Sequence, residues 1–400
     1  MYRLVNTAQR YAWGSLTAIP EFLGVPSDGA PVAELWMGAH PMAPSVVVDL
    51  TTAREESLRA LIDADPVGVL GPRVQALFGA RLPFLLKVLA AAQPLSLQVH
   101  PNREQARRGF AREEAAGIAR DAVERSYRDD EHKPEMIVAL TRFEALSGFR
   151  DVARVLDLLA GLPGELAARL RGSLAVEPDG LAVRRAFELL LTLTPDERSS
   201  LVPELVAAFQ HRIAAGSPSP RADETVVGLA TWYPDDPGAV ASLLLNRVTL
   251  EPGEAMFVRS GAVHAYLVGL GIEVMAGSDN VLRAGLTTKH IDRAELLACT
   301  EYTPAPPARL AAEVVDDVVS VYRAPVDEFA LALARLRRGV RGAALPGDGP
   351  RVLLCIDGTV DAATDSGRAV LERGESVFVR ADEGAVRATG AGTILQAFVP

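Results

Sequence analysis

Cysteine is nearly missing from this chain: 400 residues contain two, Cys299 and Cys355, far apart in sequence. No disulfide framework can hold such a fold. The opening residues Met1-Tyr2-Arg3-Leu4-Val5-Asn6 show no apolar targeting run, so both thiols read as reduced, buried small residues. Positive charge is in deficit, with 41 Lys and Arg against 51 Asp and Glu and a net charge of −10. That excludes a general nucleic-acid binder, which needs a basic face. A phosphorylated substrate stays possible, because a few local cations outweigh the global sign. Long apolar runs are absent too; the leucine-rich Leu189–Leu193 is far too short to span a membrane. The expected location is the cytoplasm, with no membrane or nucleic-acid partner. Histidine is scarce as well: there are six, and none follows His290.

What is present is ordinary material for a folded protein of two or three domains, 49% hydrophobic and 23% charged. Against it stand four side chains suited to one metal ion. Gln98 and His100 lie in Ser96-Leu97-Gln98-Val99-His100-Pro101, Glu135 in His132-Lys133-Pro134-Glu135-Met136, and His264 in Gly261-Ala262-Val263-His264-Ala265-Tyr266. In a strand alternate residues share a face, so Gln98 and His100 point one way while Leu97 and Val99 point the other. Two imidazoles, a carboxylate and an amide oxygen suit zinc ahead of iron or manganese. A lone histidine is more often a hydrogen-bonded core or surface residue, and that reading suits His211. His40 and His290 stay open between the two. Glu135 could instead pair with Lys133 at the surface, but it precedes the apolar Met136–Leu140, and a buried carboxylate needs a metal or a cation. Lys87 stands in apolar Phe84–Leu89 and must have a partner or line a cavity. Arg283 either pairs with Asp279 or offers its planar fork to an oxyanion, while Lys289 reads as solvated.

Texture along the chain divides it. Short apolar runs broken by Gly and Pro fill the first 150 residues, interrupted by a charged helical patch from about Asn102 to Ser126. From Asp151 to about Ala215 leucines recur at helical spacing, and Thr194-Pro195 forms a helix start. Strand texture resumes near Ser242. Leu250-Glu251-Pro252-Gly253-Glu254-Ala255-Met256-Phe257-Val258 reads as strand, tight turn, strand, and the pattern recurs in Leu371-Glu372-Arg373-Gly374-Glu375-Ser376-Val377-Phe378-Val379. Two copies suggest a duplicated β-barrel, the second structural because it lacks histidine.

The metal stretches, with Tyr11-Ala12-Trp13-Gly14-Ser15, Ala33–Pro41, Leu82–Leu89 and Glu273–His290, resemble the type I phosphomannose isomerases over about residues 1–150 and 245–295. Thr288 departs from that pattern, where the family usually carries proline. The resemblance implies a mainly β protein of two cupin-type jelly-roll barrels with an inserted α-helical domain. Residues 1–150 and 216–305 would form the catalytic cupin domain, 151–215 the helical insertion, and 306–400 a β-barrel without metal ligands. It implies one zinc ion per chain, held by Gln98, His100, Glu135 and His264, and a monomer acting on a small phosphorylated sugar. The reaction would interconvert mannose 6-phosphate and fructose 6-phosphate. Arg283 would be the catalytic cation, with the proton-transferring base among His132, Lys133 and Asp279. Ser96 and Lys87 would serve the phosphate end, with Tyr266 and Glu273 lining the rest. Two rivals remain: an Fe(II) oxygenase using a facial triad, and a non-catalytic sugar-phosphate binder.

Overall fold

The computed structural model describes residues 1–339 and 342–400. It is mainly β, with two sheets whose strand pairs are all antiparallel among the described residues, and a block of helices. No helix among these residues is long and apolar enough to cross a membrane. Both cysteines are free and buried.

The first sheet is organised by the long strand His264–Ala276. Its first half pairs with Phe143–Phe149, and its second half with Phe84–Ala91 and Glu135–Ala139. One strand can serve both halves because the register shifts between Tyr266 and Val268 and the chain bends at Gly269, φ 135°. A Cβ there would lie 2.7 Å from the Phe143 ring and 2.9 Å from the Arg142 carbonyl, so only glycine fits. The second sheet is built on Arg351–Ala363 and Val386–Phe398. It also recruits Tyr2–Val5, Val46–Asp49 and Glu55–Ser57. These three strands fall in the stretch that sequence texture places with the catalytic domain, and the Met1 ammonium lies 2.6 Å from Glu383. Backbone pairing thus joins the two ends of the chain, which no local pattern encodes.

The repeated turn is a repeat in three dimensions. Gly253 and Gly374 have φ 88° and 86°. The Glu251 amide donates to Glu254 Oε2 at 2.8 Å, and the Glu372 amide to Glu375 Oε2 at 2.8 Å. The strands flanking each turn do not pair with one another. Leu245–Leu250 joins Phe143–Phe149, whereas Ala255–Val258 joins Glu135–Ala139. Each turn therefore carries the chain between separate ladders rather than closing a hairpin. The hydrogen-bonded strand order is open in both sheets.

Helices occupy Val152–Leu159, Glu165–Leu174, Asp179–Thr192 and Pro195–Ala214. Thr194 caps the last through a reciprocal pair with Glu197, as its sequence predicts. Helical structure does not stop at residue 215: Pro220–Trp232 and Gly238–Ala241 follow within the stretch assigned from sequence to the catalytic domain. The leucines of this block share one core with Leu97, Val99, Leu146, Phe149 and Ala265. The helices therefore cover the outer face of the sheet that carries His100.

The charged patch is helical only in its first half, Arg103–Ala115, capped by Asn102; residues 116–126 form turns instead of continuing the helix. Its Gly109 packs on the buried Tyr127 ring, where a Cβ would fall 2.3 Å from a ring carbon. Tyr127 cannot swing aside, since its hydroxyl donates to Glu295 at 2.6 Å. Gly109→Ala should destabilise the protein by about 1–3 kcal/mol despite alanine's better helix propensity. A melting temperature at or above the parent's would show that the Tyr127 contact yields.

Candidate metal centre

Strand alternation builds the first part of the centre. Leu97 and Val99 are buried against the helices, and His100 is fully buried on the opposite face. Gln98 pairs across the ladder with both His264 and Arg283. Residues directly opposite in an antiparallel pair project to the same side. Arg283, Gln98 and His264 thus form a row on one face. Glu135, first residue of its strand, enters from the neighbouring ladder and is buried.

His100 Nε2 lies 3.2 Å from Glu135 Oε1, and His264 Nε2 lies 3.5 Å from Glu135 Oε2. The three donors fall within 4.8 Å of one another. His100 Nδ1 is 2.8 Å from the Asn280 carbonyl and His264 Nδ1 is 3.0 Å from the Ala262 carbonyl. A carbonyl only accepts, so each Nδ1 carries the hydrogen and each Nε2 turns a lone pair inward. Both Nε2 atoms and Glu135 Oε2 are buried with no hydrogen-bond partner. Buried orphans of this kind cost about 1–3 kcal/mol each, and a divalent cation satisfies all three together.

Charge follows the same logic. Burial is the largest influence on His100 and outweighs the pull of Glu135, lowering the imidazole to about 4. Burial opposes ionisation of Glu135, but Lys133 and His100 hold it well below the usual carboxylate range. A neutral imidazole facing a carboxylate is a ligand set rather than an ion pair. For the metal-free protein the linkage sign follows. An unfolded histidine near 6.5 binds protons that folded His100 refuses, so stability is complete above about pH 6.5. It falls as pH drops toward 4, by up to about 3 kcal/mol. Chelator-treated protein melted across this window should show that slope, and His100→Gln should flatten it; a parent with no slope refutes the assignment.

The other predicted residues lie in three groups. Lys133 Nζ is 2.9 Å from Glu135 Oε1, at the centre itself. Lys87 has the partners that its apolar stretch requires: Glu273 at 3.0 Å and Glu34 at 3.5 Å. Burial alone would lower its ionisation, but these carboxylates outweigh it and raise it. Burial raises Glu273 against the opposing charge of Lys87. The buried Tyr266 hydroxyl has no hydrogen-bond partner; burial, then the charges of Glu273 and Glu135, push it well above the usual phenol range. Ser96 is half-buried beside Leu95, whose amide donates to the Tyr266 carbonyl at 2.8 Å.

Asp279 does not pair with Arg283. It faces His40, whose Nε2 lies 3.3 Å away, and this contact outweighs burial to lower the carboxyl. Arg283 is half-buried, and burial, then the neighbouring Arg128 charge, lower its ionisation. Lys289 is affected by burial and by both arginines in the same direction. His132 stands apart: its Nε2 is 2.7 Å from Glu328 Oε1 and 2.9 Å from the Arg103 guanidinium. Sequence reading missed Arg128, Glu34 and the part played by His40. Alternation in Glu34-Leu35-Trp36 was a usable signal for Glu34; an isolated arginine such as Arg128 carries none.

An antiparallel β protein with two buried imidazoles and a carboxylate aimed at one point is, by class, a metalloprotein with an internal catalytic-type centre. Residues 1–152 match the family model for the phosphomannose isomerase type I catalytic domain. The chain is 42% identical to mannose-6-phosphate isomerase of Salmonella typhimurium, covering 100% of this chain and 99% of the relative. It is 34% identical to the Bos taurus mannose-6-phosphate isomerase, covering 96% and 94%. A solved structure of the Salmonella typhimurium enzyme bound to fructose 6-phosphate and zinc superposes with TM-score 0.89 at 40% identity, covering 100% of this chain and 99% of that one. The chain belongs to the type I phosphomannose isomerase family.

Proposed function

We propose that this protein is a zinc-dependent aldose–ketose isomerase interconverting mannose 6-phosphate and fructose 6-phosphate. The observation that carries the reading is the set of orphaned donors on His100, His264 and Glu135, each histidine locked with its lone pair inward. Gln98 completes the set from the same face. A divalent ion held there supplies Lewis-acid polarisation of the sugar carbonyl and stabilises charge developing across C1 and C2. Lys133, 2.9 Å from Glu135 Oε1, and Asp279, on which the Lys133 charge acts, are the candidates to take a proton from one carbon and return it to the next; His132 is the weaker candidate because its contacts are with Glu328 and Arg103 instead of the centre. Arg283, on the row with Gln98 and His264, faces the developing enediolate. Arg128 and Lys289, whose charges adjoin Arg283, add positive charge in an otherwise acidic protein, which supports a phosphate beside them. Ser96 and the remaining N–H of Lys87 would line the approach, with Tyr266 and Glu273.

Each sheet, folded over, fits a cupin-type jelly roll, with the histidine-free sheet a structural one. The helical insertion, read from sequence as 151–215, would on this reading run on to about 244, which the helices Pro220–Trp232 and Gly238–Ala241 support. A cytoplasmic monomer remains part of the reading. Neither rival gains support: the relatives named above are isomerases, and an amide as fourth ligand takes a position that oxygen activation needs open.

A coupled assay tests the proposal. Zinc-replete protein given mannose 6-phosphate and auxiliary glucose-phosphate isomerase should produce glucose 6-phosphate. Oxygen consumption without isomerisation, or no turnover at all, would overturn it.

A further inference from the structure

We propose that Asn280 is a positioning residue of the metal centre, fixing the ring of His100 through its own backbone carbonyl. The inference rests on His100 being a metal ligand. The strand Leu97–Val99 just before it and the Gly261 amide, which donates to the His100 carbonyl at 2.9 Å, fix where the His100 backbone lies but leave the ring free to turn. Apart from the contact of Nε2 with Glu135, the ring is held by the hydrogen bond from Nδ1–H to the Asn280 carbonyl at 2.8 Å. That carbonyl sits in an irregular segment between the strands His264–Ala276 and Leu282–Gly285, where no ladder holds it. Something else must set its place.

The fully buried Asn280 side chain does so. Its Oδ1 accepts from the amides of Arg128 at 2.8 Å and Asp129 at 3.3 Å. Its Nδ2 donates to the Asp129 carbonyl at 2.8 Å and the Glu131 carbonyl at 2.9 Å. Asp129 closes the bracket from the other side, accepting from the Asp279 amide at 2.8 Å and the Ser278 hydroxyl at 2.8 Å. The Asn280 amide in turn donates to Ser278 Oγ at 3.2 Å. Only an amide side chain offers acceptor and paired donor together at this position. Aspartate would turn a carboxylate toward two carbonyls and toward Asp129; leucine would leave five partners unmatched, the amides of Arg128 and Asp129, the carbonyls of Asp129 and Glu131, and Asp129 Oδ1. The bracket also sets where the chain leaves toward Arg283, so one buried amide orients a metal ligand and the approach of the catalytic cation.

Partners of ligating histidines typically alter metal affinity roughly 10–100-fold when lost. Asn280→Ala should therefore weaken zinc binding by roughly that factor in protein that remains folded. Affinity is read by competition with a chromophoric chelator, well below the melting temperature. The visible spectrum of the cobalt-loaded variant should shift as the imidazole loses its orientation. Asp223→Asn, in a buried cluster with Arg212 and Ser217 within the helical block, serves as comparison. It should lower the melting temperature and leave zinc affinity alone. If Asn280→Ala fails to fold, Ser278→Ala removes the milder end of the same bracket and should weaken zinc several-fold. Zinc affinity and cobalt spectrum indistinguishable from the parent's, in whichever variant folds, would overturn the inference. Failure of the parent itself to bind zinc would instead sink the metal reading beneath it.

Discussion

His264→Ala should yield a folded protein that binds zinc substoichiometrically and turns over at least about a hundredfold more slowly, since loss of outer partners alone costs 10–100-fold in affinity or activity. The fold should survive because His264 enters its ladder through the backbone, opposite Gln98 and Ser147. The centre should not. Removing the imidazole leaves His100 Nε2 and Glu135 to hold the ion, with Gln98 as the proposed further ligand, and neither His100 nor Glu135 can supply the lost nitrogen. In the parent, a chelator should abolish turnover and zinc should restore it. In His264→Ala, zinc should restore little even in excess. Metal content by elemental analysis beside steady-state rates checks both. A variant that is fully metallated and fully active would remove His264 from the centre, and the argument from orphaned donors with it.

Arg283→Ala should lower kcat by about a hundredfold, on the order of 3 kcal/mol, while KM and zinc content hold. The reasoning is positional. The ladder sets Arg283 opposite Gln98, so it projects toward the centre rather than into the helical core. Asp279, the nearest expected counterion in sequence, is engaged with His40, which leaves the guanidinium available to charge that develops on the substrate. A contact made mainly in the transition state shows in kcat. Arg283→Lys should recover only part, because a point charge cannot reproduce the planar fork. The opposite pattern, KM raised with kcat intact, would make Arg283 a phosphate clamp alongside Arg128 and Lys289. Catalysis would then fall to the Lys133 and Asp279 group.

Sequence by itself determined the elements whose cause is local. Alternation in Leu97-Gln98-Val99-His100 placed one pair toward the helices and His100 on the opposite face, because a pleated strand admits no other arrangement. Thr194 announced its helix through a cap that needs only residues three apart. The duplicated Leu-Glu-x-Gly-Glu turn was visible because its geometry depends on one left-handed glycine and on the glutamate after it, whose carboxylate accepts from the amide three residues back. The need of Lys87 for a partner was legible from its apolar neighbours, though which carboxylates answered it was not. Tertiary structure decided the rest. It brought Glu135 against two histidines from other strands, gave His132 to Glu328 of a distant segment, and turned Asp279 toward His40 rather than Arg283. It also sewed residues 2–57 into the sheet of the C-terminal strands and extended the helices past residue 215. These outcomes depend on which segments meet across long stretches of chain, and burial, counterions and ladder partners are properties of that meeting, not of any local run of residues.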